Sequence, residues 1–156
     1  MKSSSAVTGA PLLRLFVYGT LMRGGRFHDR YCKGVLAVEA ASVRGRVHRL
    51  SQGYPALLVP EESILARGTG DALADARREG AIGGEVDGRD LVWSDVPGEL
   101  LTFDDPQTRL PRLDRLEGFH VGAASLYQRV LLPIRRATGP WLAAWAYVEG
   151  ELARRS

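Results

Sequence analysis

The run Leu15-Phe16-Val17-Tyr18-Gly19-Thr20-Leu21 constrains the fold more than any other stretch, because an apolar strand breaks within it into a turn of small residues. β-Branched and aromatic residues favour the strand. Gly19 supplies either a positive φ or room for a ligand to approach the backbone. The turn runs on into Leu21-Met22-Arg23-Gly24-Gly25-Arg26, and successive backbone N–H groups in such a turn can form an anion-binding concavity. An ordinary hairpin turn fits the tetrapeptide equally well.

About a hundred residues on stands Leu110-Pro111-Arg112-Leu113-Asp114-Arg115-Leu116-Glu117-Gly118-Phe119. On a helix opening near Asp104 or Asp105, with Pro106 in its first turn, Leu110, Leu113 and Glu117 recur at i, i+3 and i+7. The carboxylate therefore shares a face with leucines, while Asp114 and Arg115 are expected to point elsewhere. Gly118 reads as the C-terminal stop. Desolvation and the negative end of the helix dipole both raise the proton affinity of an acid placed there, which makes Glu117 a candidate general base. The alternative is an amphipathic helix with its last acid at the solvent rim.

Taken together, the two segments resemble the gamma-glutamylcyclotransferase family, which carries a Tyr-Gly-(Thr/Ser)-Leu loop after its first strand and a late Leu-Asp-x-x-Glu-Gly segment. Here these read Tyr18-Gly19-Thr20-Leu21 and Leu113-Asp114-Arg115-Leu116-Glu117-Gly118. Tyr127-Gln128-Arg129, Tyr54-Pro55-Ala56 and Gly98-Glu99-Leu100 resemble segments of the gamma-glutamylamine cyclotransferase branch, so the likeness runs from about Leu15 to Val148. No one motif is specific; their common order carries the resemblance.

The resemblance implies an α+β fold, a small mixed β-barrel-like sheet with flanking helices. It also implies cleavage of a γ-glutamyl amide by its own α-amine, releasing 5-oxoproline and a free amine without a cofactor. Glu117 would move the protons. The N–H groups around Gly19, Thr20 and Leu21 would hold the substrate carboxylate or the developing oxyanion, and Tyr18 and Tyr127 would wall the pocket. Arg129 either meets a substrate carboxylate or pairs with Asp114 or Glu117, the structural role being favoured because it shares a strand face with Tyr127. A non-catalytic binding or interaction protein that keeps the fold is the competing reading, and the presence of Glu117 favours the enzyme.

Composition narrows the classes further. The 156 residues, 45% hydrophobic, suit one domain with a real core. No apolar run approaches the ~20 residues that span a membrane. Residues 1–12 are expected to be a flexible leader without a secretory signal, 13–149 the domain, and 150–156 a loose tail. Cys32 is the only cysteine, which excludes an internal disulfide and points to a reducing cytoplasm; it reads as a small hydrophobe rather than a nucleophile. His28, His48 and His120 lack metal-ligand spacing, so no metal is implied. The net charge of +3 comes with arginines at 23, 26, 30, 44, 46 and 49 that are not interleaved with stacking aromatics. This argues for a solvated face and against nucleic acid, while the small γ-glutamyl substrate that the resemblance implies would, if anionic, be drawn toward Arg23 and Arg26. Oligomeric state is left open.

Strands are expected at about 14–18, 35–50, 56–59, 98–103, 125–133 and 140–148, with a short helix at 26–33 and the longer one at 106–117. On the 35–50 strand Val43, Gly45 and Val47 share one side, and on the last strand Trp141, Trp145 and Tyr147 share a face for core or interface packing. Residues 61–95 hold nine acids against four arginines and many glycines. They read as an insertion that acts as a lid, an oligomer contact or a disordered excursion, with a helical turn or two possible between Asp71 and Arg78.

Overall fold

The computed structural model describes residues 11–19, 21–51, 53–82 and 93–154. Strands β1 (Leu13–Val17), β2 (Ala37–Arg49), β3 (Pro55–Leu58), β4 (Ala66–Arg67), β5 (Gly80–Ala81), β6 (Ser94–Phe103), β7 (Tyr127–Arg136) and β8 (Leu142–Glu149) form one sheet. Its order is β3-β2-β6-β1-β8-β7-β4, and a further β2–β7 pairing closes β2, β6, β1, β8 and β7 into a five-stranded barrel. The sheet is mixed because β1 and β8 run parallel while the other pairs are antiparallel. Helices α1 (His28–Tyr31), α2 (Ala72–Ala76), α3 (Pro106–Glu117) and α4 (Glu151–Arg154) flank it. This is the α+β barrel-like architecture the sequence implies.

Strand periodicity sorts the core into two layers. Phe16, Val43, Leu100, Val130, Leu132, Ala144, Ala146 and Val148 point into the barrel. The alternate residues Leu13, Leu15, Val17, Leu101, Phe103, Leu131, Trp145 and Tyr147 pack outward with Leu110 and Leu113 of α3. Strand β8 is covered on both sides, so every one of its residues is buried and it reads as a nearly continuous apolar run. Trp145 and Tyr147 share a buried face as expected, whereas Trp141 precedes the strand and is only half-buried. At alternate positions of β2, Val43 and Gly45 are buried while Val47 is 41% exposed. A side chain at Gly45 would meet the Leu58 carbonyl at 2.6 Å, so closeness to β3 selects glycine there.

Helix α3 begins as its sequence requires, with Asp105 before it and Pro106 in the first turn, where no amide hydrogen bond is lost. It ends on Gly118 in the left-handed conformation (φ 67°), and the Phe119 amide returns to the Asp114 carbonyl at 2.9 Å. Among the described residues no helix is long and apolar enough to cross a membrane.

Two expectations are corrected. Residues 61–82 are not a disordered excursion: β4 pairs with β7, β5 pairs with β8, and α2 buries Asp75 to 1% exposure. Both Glu79 carboxylate oxygens accept from the Arg14 amide at the start of β1, and residues 83–92 lie outside the described residues. Nor is the segment after β8 loose through residue 153. Ala153 of α4 is buried, and the Gly150 and Leu152 amides donate to the Leu126 and Ser125 carbonyls. The expected leader lies almost wholly outside the described residues.

Candidate active site

A cavity of about 240 Å³ opens where the end of β1, the start of β3, the end of α3 and strands β7 and β8 converge. Tyr18, Gly19, Leu21, Glu117 and Tyr127 all line it, together with Phe27, Tyr54, Pro55, Leu116, Leu126 and Tyr147. Every site residue expected from the sequence is thus brought to one place except Thr20, which lies outside the described residues.

The turn after β1 is held from several sides. The Met22 amide donates to the Gly19 carbonyl (3.0 Å), and the Arg23 amide donates to Glu99 Oε1 on β6 (2.6 Å). The Leu21 carbonyl lies 2.9 Å from His28 Nδ1 and 3.6 Å from the Cys32 thiol, which donates to it. Burial pushes that thiol up to about 11. Cys32 therefore stays protonated at neutral pH and supports the turn. Gly19 is not in the left-handed region, so of the two readings of this glycine the positive φ is set aside. A Cβ there would stand 3.1 Å from Pro55 Cγ.

The phenols of the cavity are committed to backbone. Tyr18 Oη donates to the Tyr147 carbonyl (2.7 Å) and accepts from the Leu57 amide (3.1 Å). Tyr127 Oη donates to the Pro55 carbonyl (2.7 Å). Burial raises both phenol pKa values, that of Tyr127 to about 12. Both rings act as fixed walls.

Glu117 is the last residue of α3 and lies half-buried at the cavity surface. Desolvation, followed by the neighbouring Asp114 carboxylate, pushes its carboxyl up to about 7. Behind it, Arg129 is 1% exposed and pairs with two acids: Nε with Asp114 Oδ1 (2.9 Å) and Nη1 with Asp75 Oδ2 (2.8 Å). Arg129 thus takes the structural role favoured from sequence, with Asp114 as one partner. The expectation that Asp114 points away is corrected, since its carboxylate turns inward to Arg129 and to the Tyr147 hydroxyl.

Residues 15–155 match the family model described as gamma-glutamyl cyclotransferase, AIG2-like. The chain belongs to this family. It is accordingly an enzyme of the gamma-glutamyl cyclotransferase type. Among solved structures, an AIG2-like protein from Mus musculus at 1.90 Å is similar at 20% identity and a TM-score of 0.49, over 88% of this chain and 77% of that one. A gamma-glutamyl cyclotransferase is similar at 15% identity and a TM-score of 0.49, over 90% of this chain and 69% of that one. No curated protein matches in sequence. Within the gamma-glutamyl cyclotransferase framework, sequence reasoning missed His28, Cys32 and Glu99 as supports of the turn and Asp75 as the second partner of Arg129. Each contact joins residues distant in sequence or buried by tertiary packing, and no local pattern signals it.

Proposed function

We propose that the protein cleaves γ-glutamyl amides by intramolecular attack of the substrate's α-amine, releasing 5-oxoproline and a free amine. The observation that supports this reading is Glu117: a carboxyl with pKa near 7, in a small cavity beside the Gly19–Leu21 turn. In the proposed reaction Glu117 takes a proton from the α-ammonium, and the amine nitrogen attacks the γ-carbonyl carbon to form a tetrahedral oxyanion. Glu117 then passes this proton to the leaving nitrogen as the original amide bond breaks, and the second proton that the attacking nitrogen sheds to become the lactam N–H leaves on the released amine as its ammonium, so the carboxylate is regenerated. Because nucleophile and electrophile share one molecule, orientation in the cavity supplies a large part of the acceleration, up to about 7–11 kcal/mol for well-aligned systems. Backbone donors of the 19–21 turn would hold the oxyanion or the substrate carboxylate, each worth roughly 2.7–4 kcal/mol where it acts on the transition state.

No step needs a cofactor or metal. Arg23 and Arg26, both exposed near the turn, would draw an anionic substrate toward the cavity, and the lone buried thiol fits a cytoplasmic site of action. The test is a panel of γ-glutamyl amides with varied leaving amines, scored for release of 5-oxoproline and amine in equal amounts. Equimolar release by the wild type is expected. Binding of panel members without release would favour the non-catalytic binding protein instead.

A further inference from the structure

The last turn of α3 carries a second acid that the proposed chemistry does not use. Asp114 stands one turn before Glu117, and its carboxylate accepts from Arg129 Nε (2.9 Å), Arg129 Nη2 (3.1 Å) and the Tyr147 hydroxyl (2.5 Å). Arg129 is gripped from its other side by Asp75 Oδ2 (2.8 Å) and the Thr69 carbonyl (3.1 Å). Asp75 is itself fixed by the Thr69 amide and hydroxyl, each at 2.8 Å, and its carbonyl accepts from Trp145 Nε1 (2.9 Å). Tyr147, which ends one arm of this network, lines the same cavity as Glu117.

We propose that Asp114 is a positioning residue for Glu117: clamped by Arg129 and Tyr147, it fixes the rotation of the last helical turn and holds a negative charge beside the reacting carboxyl. The proposal rests on reading Glu117 as the acid–base group. Two carboxylates against one guanidinium leave a net negative charge in a buried cluster, which is a poor arrangement for stability alone, since one acid would balance Arg129. Of the two acids it is Asp114 that acts on Glu117, where its charge opposes ionisation and so strengthens the base.

The groups that face Glu117 from the other elements do not cancel it. Tyr18, Tyr54, Tyr127 and Tyr147 present phenols. Glu149, which acts on Tyr18 and Tyr127 from the end of β8, is hydrogen-bonded by His48. Arg129 is turned to its two acids, and among the described lining residues there is no lysine, arginine or histidine.

The experiment titrates the Glu117 carboxyl in the full chain by carbon NMR with labelled glutamate, its signal assigned by loss in E117Q, alongside kcat against pH. In D114N the Glu117 midpoint should fall by about half a pH unit to one unit, and the plateau kcat should fall about tenfold through the loosened turn. Y147F keeps the Asp114 charge and removes one donor, so its midpoint should not fall while kcat does. An unmoved midpoint in folded D114N overturns the proposal. If D114N does not fold, Y147F decides, and either a fallen midpoint or a wild-type kcat overturns it. If the wild type turns over no panel substrate, the acid–base reading fails on its own, and the NMR midpoints still decide whether Asp114 sets the proton affinity of Glu117.

Discussion

Replacing Glu117 by Gln should slow the enzyme and stabilise the fold, and the stabilisation should appear only at high pH. In the folded protein the Glu117 carboxyl holds its proton up to about 7, against 4.5 for an unperturbed glutamate. A group whose folded pKa is raised binds protons more tightly when folded, so its contribution is fully present below the unfolded value and is lost as pH rises through the folded one. At about 1.4 kcal/mol per pH unit between the two values, the ceiling of that loss is about 3 kcal/mol. The carboxyl is only half-buried, and solvent screening brings the expected figure to roughly 2 kcal/mol. Glutamine resembles the protonated acid at every pH and escapes the loss. E117Q should therefore melt about 4–8 °C above wild type at pH 8, and the two should coincide near pH 4.5. Thermal unfolding at both pH values gives the comparison, and 5-oxoproline release should drop by about 10²–10⁴ in the same variant. A melting difference that is equal at the two pH values would refute the desolvated-acid account, and near-wild-type turnover would refute the acid–base role.

Gly19→Val should raise KM at least about tenfold while destabilising by roughly 1–3 kcal/mol, because the added carbons press on Pro55, whose carbonyl anchors Tyr127. Steady-state kinetics with melting checks this, and an unchanged KM would show that the turn does not touch substrate. Asp75→Ala should lower stability by about 1–3 kcal/mol, since the Thr69 amide and hydroxyl and Arg129 Nη1 lose their acceptor while Asp114 still balances the guanidinium. Denaturant unfolding measures it, and a loss below about 1 kcal/mol would make residues 61–82 peripheral after all.

What the sequence revealed, and what it concealed, divides along the range of the interactions. The α3 face was legible because Leu110, Leu113 and Glu117 are set by helical spacing alone, and its ends because Pro106 and Gly118 act locally. Asp114 was misjudged although it lies only about 60° round the helix from Glu117 at 3.6 residues per turn. What turns it inward is Arg129 on β7, a partner that spacing cannot supply. The same limit governed residues 61–82. Glycines and acids there look like an excursion, yet Asp75 is buried because Arg129 waits 54 positions later. At Gly19 the residue type leaves open a positive φ or room for a ligand at the backbone, and it takes the backbone angle to exclude the first.

The arrangement of protons in the cavity bears on how many groups the reaction can use. In the proposed cyclisation, attack by the α-amine needs a base, and departure of the leaving amine needs an acid. Tyr18 and Tyr127 line the cavity, but each donates its hydroxyl proton to a backbone carbonyl, and burial holds both protons well above neutral pH. Cys32 is buried behind the turn with its thiol proton held equally firmly. Among the described lining residues Glu117 alone is a carboxyl, and its pKa near 7 makes loss and return of a proton comparably easy at neutral pH. One group therefore has to serve both steps. On this reading an error in the placement of Glu117 would impair both proton transfers at once, because no other carboxyl stands among the described lining residues, and the ion-pair network on the same helical turn is where such an error would arise.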